Sequence, residues 1–287
     1  MTVNVGELTY NGYLFGNATG SPTVHVTEVE GLDLPAVRSS DVDLPGAHGA
    51  LPGQDRHGSR VINMITHVVA ASQAELVTSL MAMSAAVVIR DDELPLTFQI
   101  SDEIPEMRVY CRPRRRSVPL PQAHAHLNAR CLLQFVATDP RIYSDAEYSA
   151  GAASPTAGGG LAFPFAFPFN FGSPPSGSTV LLTNAGTATA PWTAVVAGPC
   201  TGITITGPGG AQIRWAGALT ASETLTFDAH PSRRTVLIQG TASRYGLVAT
   251  GPNWFMLAPG ENQVAFNTDT STGTATFHWR DAWWSAT

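Results

Sequence analysis

The sequence contains no lysine: all 16 basic side chains are arginine, a bias that reads as genomic rather than mechanistic. Charge of either sign is scarce, at 13% of 287 residues. A typical soluble domain carries about 25%. Two readings fit: a surface largely covered by partners or by further copies, or a neutral Ser/Thr-rich β surface. The net charge of −6 argues against wholesale wrapping of nucleic acid. Cysteine is rare and odd in number, with Cys111, Cys131 and Cys200 far apart. That excludes a disulfide framework and offers no C-x-x-C pair to zinc, and it fits assembly in a reducing cytoplasm. No apolar run approaches the ~18 residues of a membrane span. The start, MTVNVGELTYNG, lacks the basic and apolar regions of a signal peptide. A nucleophile elbow, an H-E-x-x-H pair and a P-loop are all missing. No catalytic, cofactor-binding or metal-binding residue is assigned.

What is present is unevenly distributed. Residues 1–150 hold 17 acids and 11 arginines, whereas residues 151–287 hold 5 of each. The first part reads as strands around one helix. Residues 3–15 alternate about an Asn11-Gly12 turn, and Thr23–Val29 alternates again. Residues 44–58 read as a Gly/Pro-rich loop, and Arg60–Val69 as a clean strand. Ser72 and Glu75 have capping-box spacing. Leu76, Leu80, Met83 and Val87 then form one apolar stripe, predicting a helix over 72–86. Strands are predicted at Leu94–Ile100, Glu106–Arg112 and Leu127–Ala137, the last stopped by Asp139-Pro140.

Composition changes at Gly151. Residues 151–177 carry no charge and place Phe163, Phe165, Phe167, Phe169 and Phe171 at alternate positions. In an extended chain these rings share one side, with Pro164 and Pro168 on the other. The segment reads as a strap, either tying two domains together or lying across a neighbouring subunit. Beyond it, eight short strands between turns predict a β-sandwich over 178–287. The expected division is thus 1–150, a strap at 151–177, and 178–287.

Several groups invite a chemical reading. Asp91-Asp92-Glu93 reads as a solvated turn rather than an acid–base pair. His124 and His126 share a face, with no evident third metal ligand. Arg112, Arg114, Arg115 and Arg116 form the one basic block, and pairing with acids of an adjacent subunit (Glu28, Glu30, Asp33, Asp41, Asp43) is favoured over phosphate binding. Trp254, Trp279, Trp283 and Trp284 either close a core or domain contact or stack on sugars.

The segments PGAHGALPG, FVATDPRIYSD, AFPFAFPF, WFMLAPGENQVAF and RDAWW, taken in order with the single helix, resemble the distal tail proteins of long-tailed bacteriophages, the siphovirus tail-component family. The resemblance implies a mainly β protein with an N-terminal belt domain, a small split β-barrel with one amphipathic helix. A C-terminal galectin-like β-sandwich would follow. It implies a non-enzymatic hub: a homohexameric ring in the virion tail, made in the host cytoplasm. The ring would join the tail tube protein to the tip or baseplate protein, with the tape measure protein a further partner and no membrane. DNA would pass through the ring without specific binding. Arg60, Arg112, Arg114, Arg115, Arg116, Asp139 and Pro140 are the expected ring contacts. Glu28, Glu30, Asp41 and Asp43 are the expected channel acids. The alternatives are a lectin-like module of the tail tip and a tail-associated hydrolase.

Overall fold

The computed structural model describes residues 3–17, 19–118, 127–155 and 178–287. The predicted phenylalanine strap and the pair His124 and His126 lie outside these residues. The fold is mainly β with one helix and divides into two compact units. Unit one is Met1–Asp145 with Trp283–Thr287, and unit two is Ala146–Ala282.

Unit one opens with β1 (Leu8–Tyr10) and β2 (Tyr13–Phe15). Asn11 and Gly12 join them with φ of 48° and 77°, the two positive values a tight hairpin turn of this hand requires. β3 (Thr23–Glu30) follows. Nested two-residue ladders come next, their second halves inside the predicted loop 44–58: β4 (Val37–Arg38) pairs with β7 (Arg56–His57), and β5 (Val42–Asp43) with β6 (Ala50–Leu51). Together they make a hairpin arm. β8 (Arg60–Val69) occupies the predicted span.

The helix α1 (Gln73–Ala86) starts where the capping signal places it. Ser72 Oγ accepts from the Glu75 amide at 3.3 Å. The Glu75 carboxylate reaches back to the Ala71 amide and also accepts from Ser21 Oγ. Leu76, Met83 and Val87 of the predicted stripe are buried, with Ser79 beside them.

β9 (Leu94–Phe98), β10 (Met107–Ser117), β11 (Asn128–Ala137) and β12 (Ile142–Ser144) complete the unit. The strand order is β2-β1-β9-β10-β11-β8-β3. β10 bonds to different neighbours along its length. Met107–Cys111 pairs with β9, whereas Arg112–Ser117 pairs with β11. β11 and β12 run consecutively along β10, interrupted at Asp139-Pro140. Alternate residues such as Ile62, Met64, Val109, Cys111, Leu133 and Phe135 fill one core with α1. Each fully buried aliphatic or aromatic side chain contributes about 1.5–3 kcal/mol.

Unit two begins with β13 (Tyr148–Ala153), which pairs along its whole length with a later strand, Thr274–Trp279. Residues 146–150 therefore go with the second unit, although composition groups them with the first. The strands are β14 (Thr179–Asn184), β15 (Trp192–Ala197), β16 (Cys200–Thr206), β17 (Gln212–Leu219), β18 (Thr224–Asp228), β19 (Thr235–Ile238), β20 (Ala242–Ser243), β21 (Gly260–Thr268) and β22 (Thr274–Trp279). They form two antiparallel sheets, β13-β22-β15-β18-β19-β20 and β14-β21-β16-β17. Each sheet buries alternate residues, as a sandwich requires. Trp192 lies in this core, its indole N–H donating to the Phe255 carbonyl at 3.0 Å. The buried Asn184 donates to the Ala188 and Leu257 carbonyls and accepts from the Gly186 and Ala282 amides.

Candidate functional site

The groups singled out for chemistry are built into the fold. Asp91 and Asp92 sit in a bend before β9, with Asp92 3.6 Å from Arg90. Glu93 accepts from the Thr138 amide. Burial pushes the Cys131 thiol up to about 11 and raises Cys111 and Cys200 as well, so none is a poised nucleophile. Among the described residues, no group of three His, Cys, Asp or Glu is placed to hold a metal.

The four tryptophans do not share a platform. Trp279 is buried in unit two and donates to the Thr183 carbonyl. Trp254 stacks on Tyr245 and donates to its hydroxyl. In unit one, Trp283 packs against the core, and Trp284 contacts both the His57 ring and the Arg141 guanidinium.

Arg60 is only 1% exposed. Its guanidinium donates to the carbonyls of Gly31, Asp33, Pro140 and Trp284. Burial brings its pKa down to about 10, and no carboxylate forms an ion pair with it among the described residues. Four carbonyl dipoles, together with the field of the Asp33 and Asp139 carboxylates, offset part of that cost. The expected ring contact Arg60 is thus spent inside its own unit, tying the base of the arm to the β11–β12 interruption and to the C-terminal segment. Gly31 fits there because it has no side chain. Its φ is +91°, and a Cβ would lie 2.0 Å from the Val61 carbonyl oxygen. Asp139 likewise works locally, accepting from Arg141 and, at 2.5 Å, from the buried Tyr143 hydroxyl.

What unit one leaves open is surface. Along α1, Ala74, Thr78, Met81, Ala82 and Ala85 face outward, followed by Val88 and Ile89. No charge interrupts that face between Glu75 and Arg90, and Met81 and Ile89 are 67% and 79% exposed. An uncharged, largely apolar surface of this kind marks an interaction site. The arm adds Leu34, Val37 and the directly opposed pair Val42 and Leu51, all exposed. An isolated hairpin of this size is marginal alone.

The sheet of β10, β11, β8 and β3 has one buried and one open face. On the open face, Arg115, Gln134, Asn63 and Glu30 occupy one rung. Gln134 donates to Asn63 at 3.0 Å, and Asn63 points its amide at Glu30 at 3.5 Å. The next outward rung is Ser117, Leu132, Ile65 and Glu28. Arg130, His67 and His25 form a further one. Of the four expected channel acids, Glu28 and Glu30 stand on this face, whereas Asp41 and Asp43 are on the arm. Because Arg115 and Arg130 share the face, it is mixed in sign. Asp41 accepts from the Gly53 amide, which lowers its pKa.

The expected contacts Arg114, Arg115 and Arg116 are exposed and form no ion pair among the described residues. Arg112 donates to the Asp91 carbonyl. The exposed α1 face and the arm were missed in the sequence. The scarcity of charge between Glu75 and Arg90 was the available signal for the first.

Comparisons with known proteins agree with this architecture. Residues 185–283 match the family described as siphovirus-type tail component, C-terminal domain. Among solved structures, the chain resembles the Dit protein of phage SPP1, described as a paradigm of hub adsorption apparatus in phages infecting Gram-positive hosts. The TM-score is 0.66 at 12% identity, covering 96% of this chain and 98% of that one. A chain of the phage P2 baseplate in its activated conformation with Ca gives 0.54 at 9% identity, over 96% and 97%. The same baseplate with Sr gives 0.53 at 9% identity, over 96% of each chain. At such identities the likeness is one of fold. A search of curated proteins gives no match.

Proposed function

We propose that this protein is a structural, non-enzymatic hub at the distal end of a long phage tail. Six copies of unit one close a ring at the end of the tail tube. The ring leaves a channel for DNA and holds the tip or baseplate protein, with the tape measure protein ending against it. The observation that carries this reading is the fold, shared with the SPP1 hub protein across both units and nearly the full length of each chain. The uncovered apolar face of α1 and the exposed aliphatics of the arm support it, because surfaces of that kind are covered in an assembly. The low charge then reflects covered surface. The lectin-like reading has no common platform, since the four tryptophans have separate partners.

The test is negative-stain imaging of the purified protein, with mass by light scattering in the same buffer and again after adding tail tube protein. A six-fold ring with an open centre is expected. A monomer under both conditions overturns the proposal.

A further inference from the structure

Two histidines face each other on the open side of unit one, and nothing in the proposed function uses them. His25 on β3 and His67 on β8 are direct cross-strand partners. Directly opposed residues of an antiparallel pair point to the same face. Here that is the open face, where His25 is exposed and His67 partly so.

We propose that His25 and His67 form a two-imidazole site for a late first-row transition ion, Zn²⁺ or Cu²⁺, on the β3–β8 ladder. The inference is independent of the ring reading. Two features of the structure carry it. The first is spacing. Opposed Cβ atoms in such a ladder stand about 4.5–5.5 Å apart. Tetrahedral Zn–N bonds of about 2.0–2.1 Å need the two nitrogens about 3.3 Å apart. Imidazoles on opposed Cβ atoms reach that separation by turning toward each other. The register around them is regular, from Thr23 opposite Val69 to Val26 opposite Thr66, and the bulge comes only beyond Val26.

The second is the tautomer. His67 Nδ1 lies 3.3 Å from Asn128 Oδ1, which projects from β11 on the same face. An amide oxygen only accepts, so the ring proton sits on Nδ1 and the lone pair on Nε2. That is the arrangement of metal-binding imidazoles, whose second N–H is held by an oxygen. Neighbouring charges offset each other: Arg130, opposite His67 on β11, repels a cation, and Glu28, on the adjoining rung of β3, attracts one. No third His, Cys, Asp or Glu joins the pair among the described residues. Water therefore completes the coordination, and the site is weaker than a closed four-ligand one. Imidazole suits zinc and copper, with copper the tighter, whereas calcium and magnesium take oxygen ligands and do not fit. The bound ion ties β3, at one end of the strand order, to β8 across the arm that separates them in sequence.

The test uses the full-length chain carrying His124→Gln and His126→Gln, which removes the one pair of histidines close in sequence. Zn²⁺ is followed by equilibrium dialysis and thermal melting, and Cu²⁺ by its electron paramagnetic resonance spectrum. One Zn²⁺ should bind per chain. At a hundredfold excess over Kd it should raise the melting temperature of unit one by about 5–10 °C, and Ca²⁺ should not. Bound Cu²⁺ should show coupling to two imidazole nitrogens. His25→Gln and His67→Gln, added singly to this parent, should each weaken binding at least about tenfold and remove the two-nitrogen spectrum. Asn128→Ala leaves both ligands in place and should weaken binding by about tenfold. The substituted side chains stand on the open face, so the metal-free variants should melt with the parent, which shows that they are folded. A parent Kd weaker than about 1 mM overturns the site. So does parent-like binding in His25→Gln or in His67→Gln.

Discussion

Replacing Arg60 by methionine keeps most of the buried stem and removes all the donors. The carbonyls of Gly31, Asp33, Pro140 and Trp284 then lose the group they share. A buried polar group left unpaired costs about 1–3 kcal/mol. Water entering beside some of the carbonyls recovers part of that, and the variant no longer has to desolvate a guanidinium. Removing one side of a buried charged network costs about 3–5 kcal/mol net. That is a large share of the about 5–15 kcal/mol that holds a domain folded. For a unit of this size, each kcal/mol moves the melting temperature by about 2–4 °C, so a drop of about 6–20 °C is expected. With a urea slope near 2 kcal/mol/M, the midpoint falls by about 2 M. Urea denaturation measures this, with amide exchange at β8 and β11 assigning the transition to unit one. Arg60→Lys should fall between the two, because an ammonium offers fewer donors from one point. If Arg60→Met lies within about 1 kcal/mol of the wild type, the claim that the shared carbonyls depend on this guanidinium is wrong.

Gly31→Ala should destabilise unit one by more than the about 1–2 kcal/mol ascribed to a left-handed alanine, since its Cβ meets the Val61 carbonyl oxygen at 2.0 Å; the same urea titration reads it. Asp281 is buried in unit two, and desolvation raises its pKa although the Ala185 amide opposes the shift. Its carboxylate is therefore disfavoured in the folded state, and the penalty lifts as pH falls through its folded pKa. The stability of the wild type relative to Asp281→Asn should rise from pH 7 toward pH 4, and a flat or falling difference refutes the assignment. The three buried thiols should not react with a disulfide reagent at pH 8 until denaturant is added, and a fast-reacting thiol in native protein would contradict their burial.

Much of the fold was legible because alternation and capping are local signals. β8 begins and ends where its pattern does. Arg60 was misjudged by residue type: it shares strand parity with Ile62, Met64 and Val68, and that parity places it inward. The second half of the arm was read as loop because its ladders are two residues long among glycines and prolines. β13 was hidden because its partner lies more than a hundred residues away and its sequence, YSAGAA, has little strand character. The arginines of β10 and the acids of β3 were visible as composition. That they share one sheet depends on strand order, which no local pattern encodes.

The clasp on Arg60 also orders events during synthesis. One of its acceptors, Trp284, lies 224 residues downstream, with the whole of unit two made in between. A nascent chain exposes the first 145 residues early, yet its arginine stays short of a carbonyl until residue 284 has left the ribosome. Unit two, contiguous in sequence, is free to fold beforehand. Chains cut within residues 146–282 should accordingly show a protease-sensitive arm base, and intact chains a resistant one.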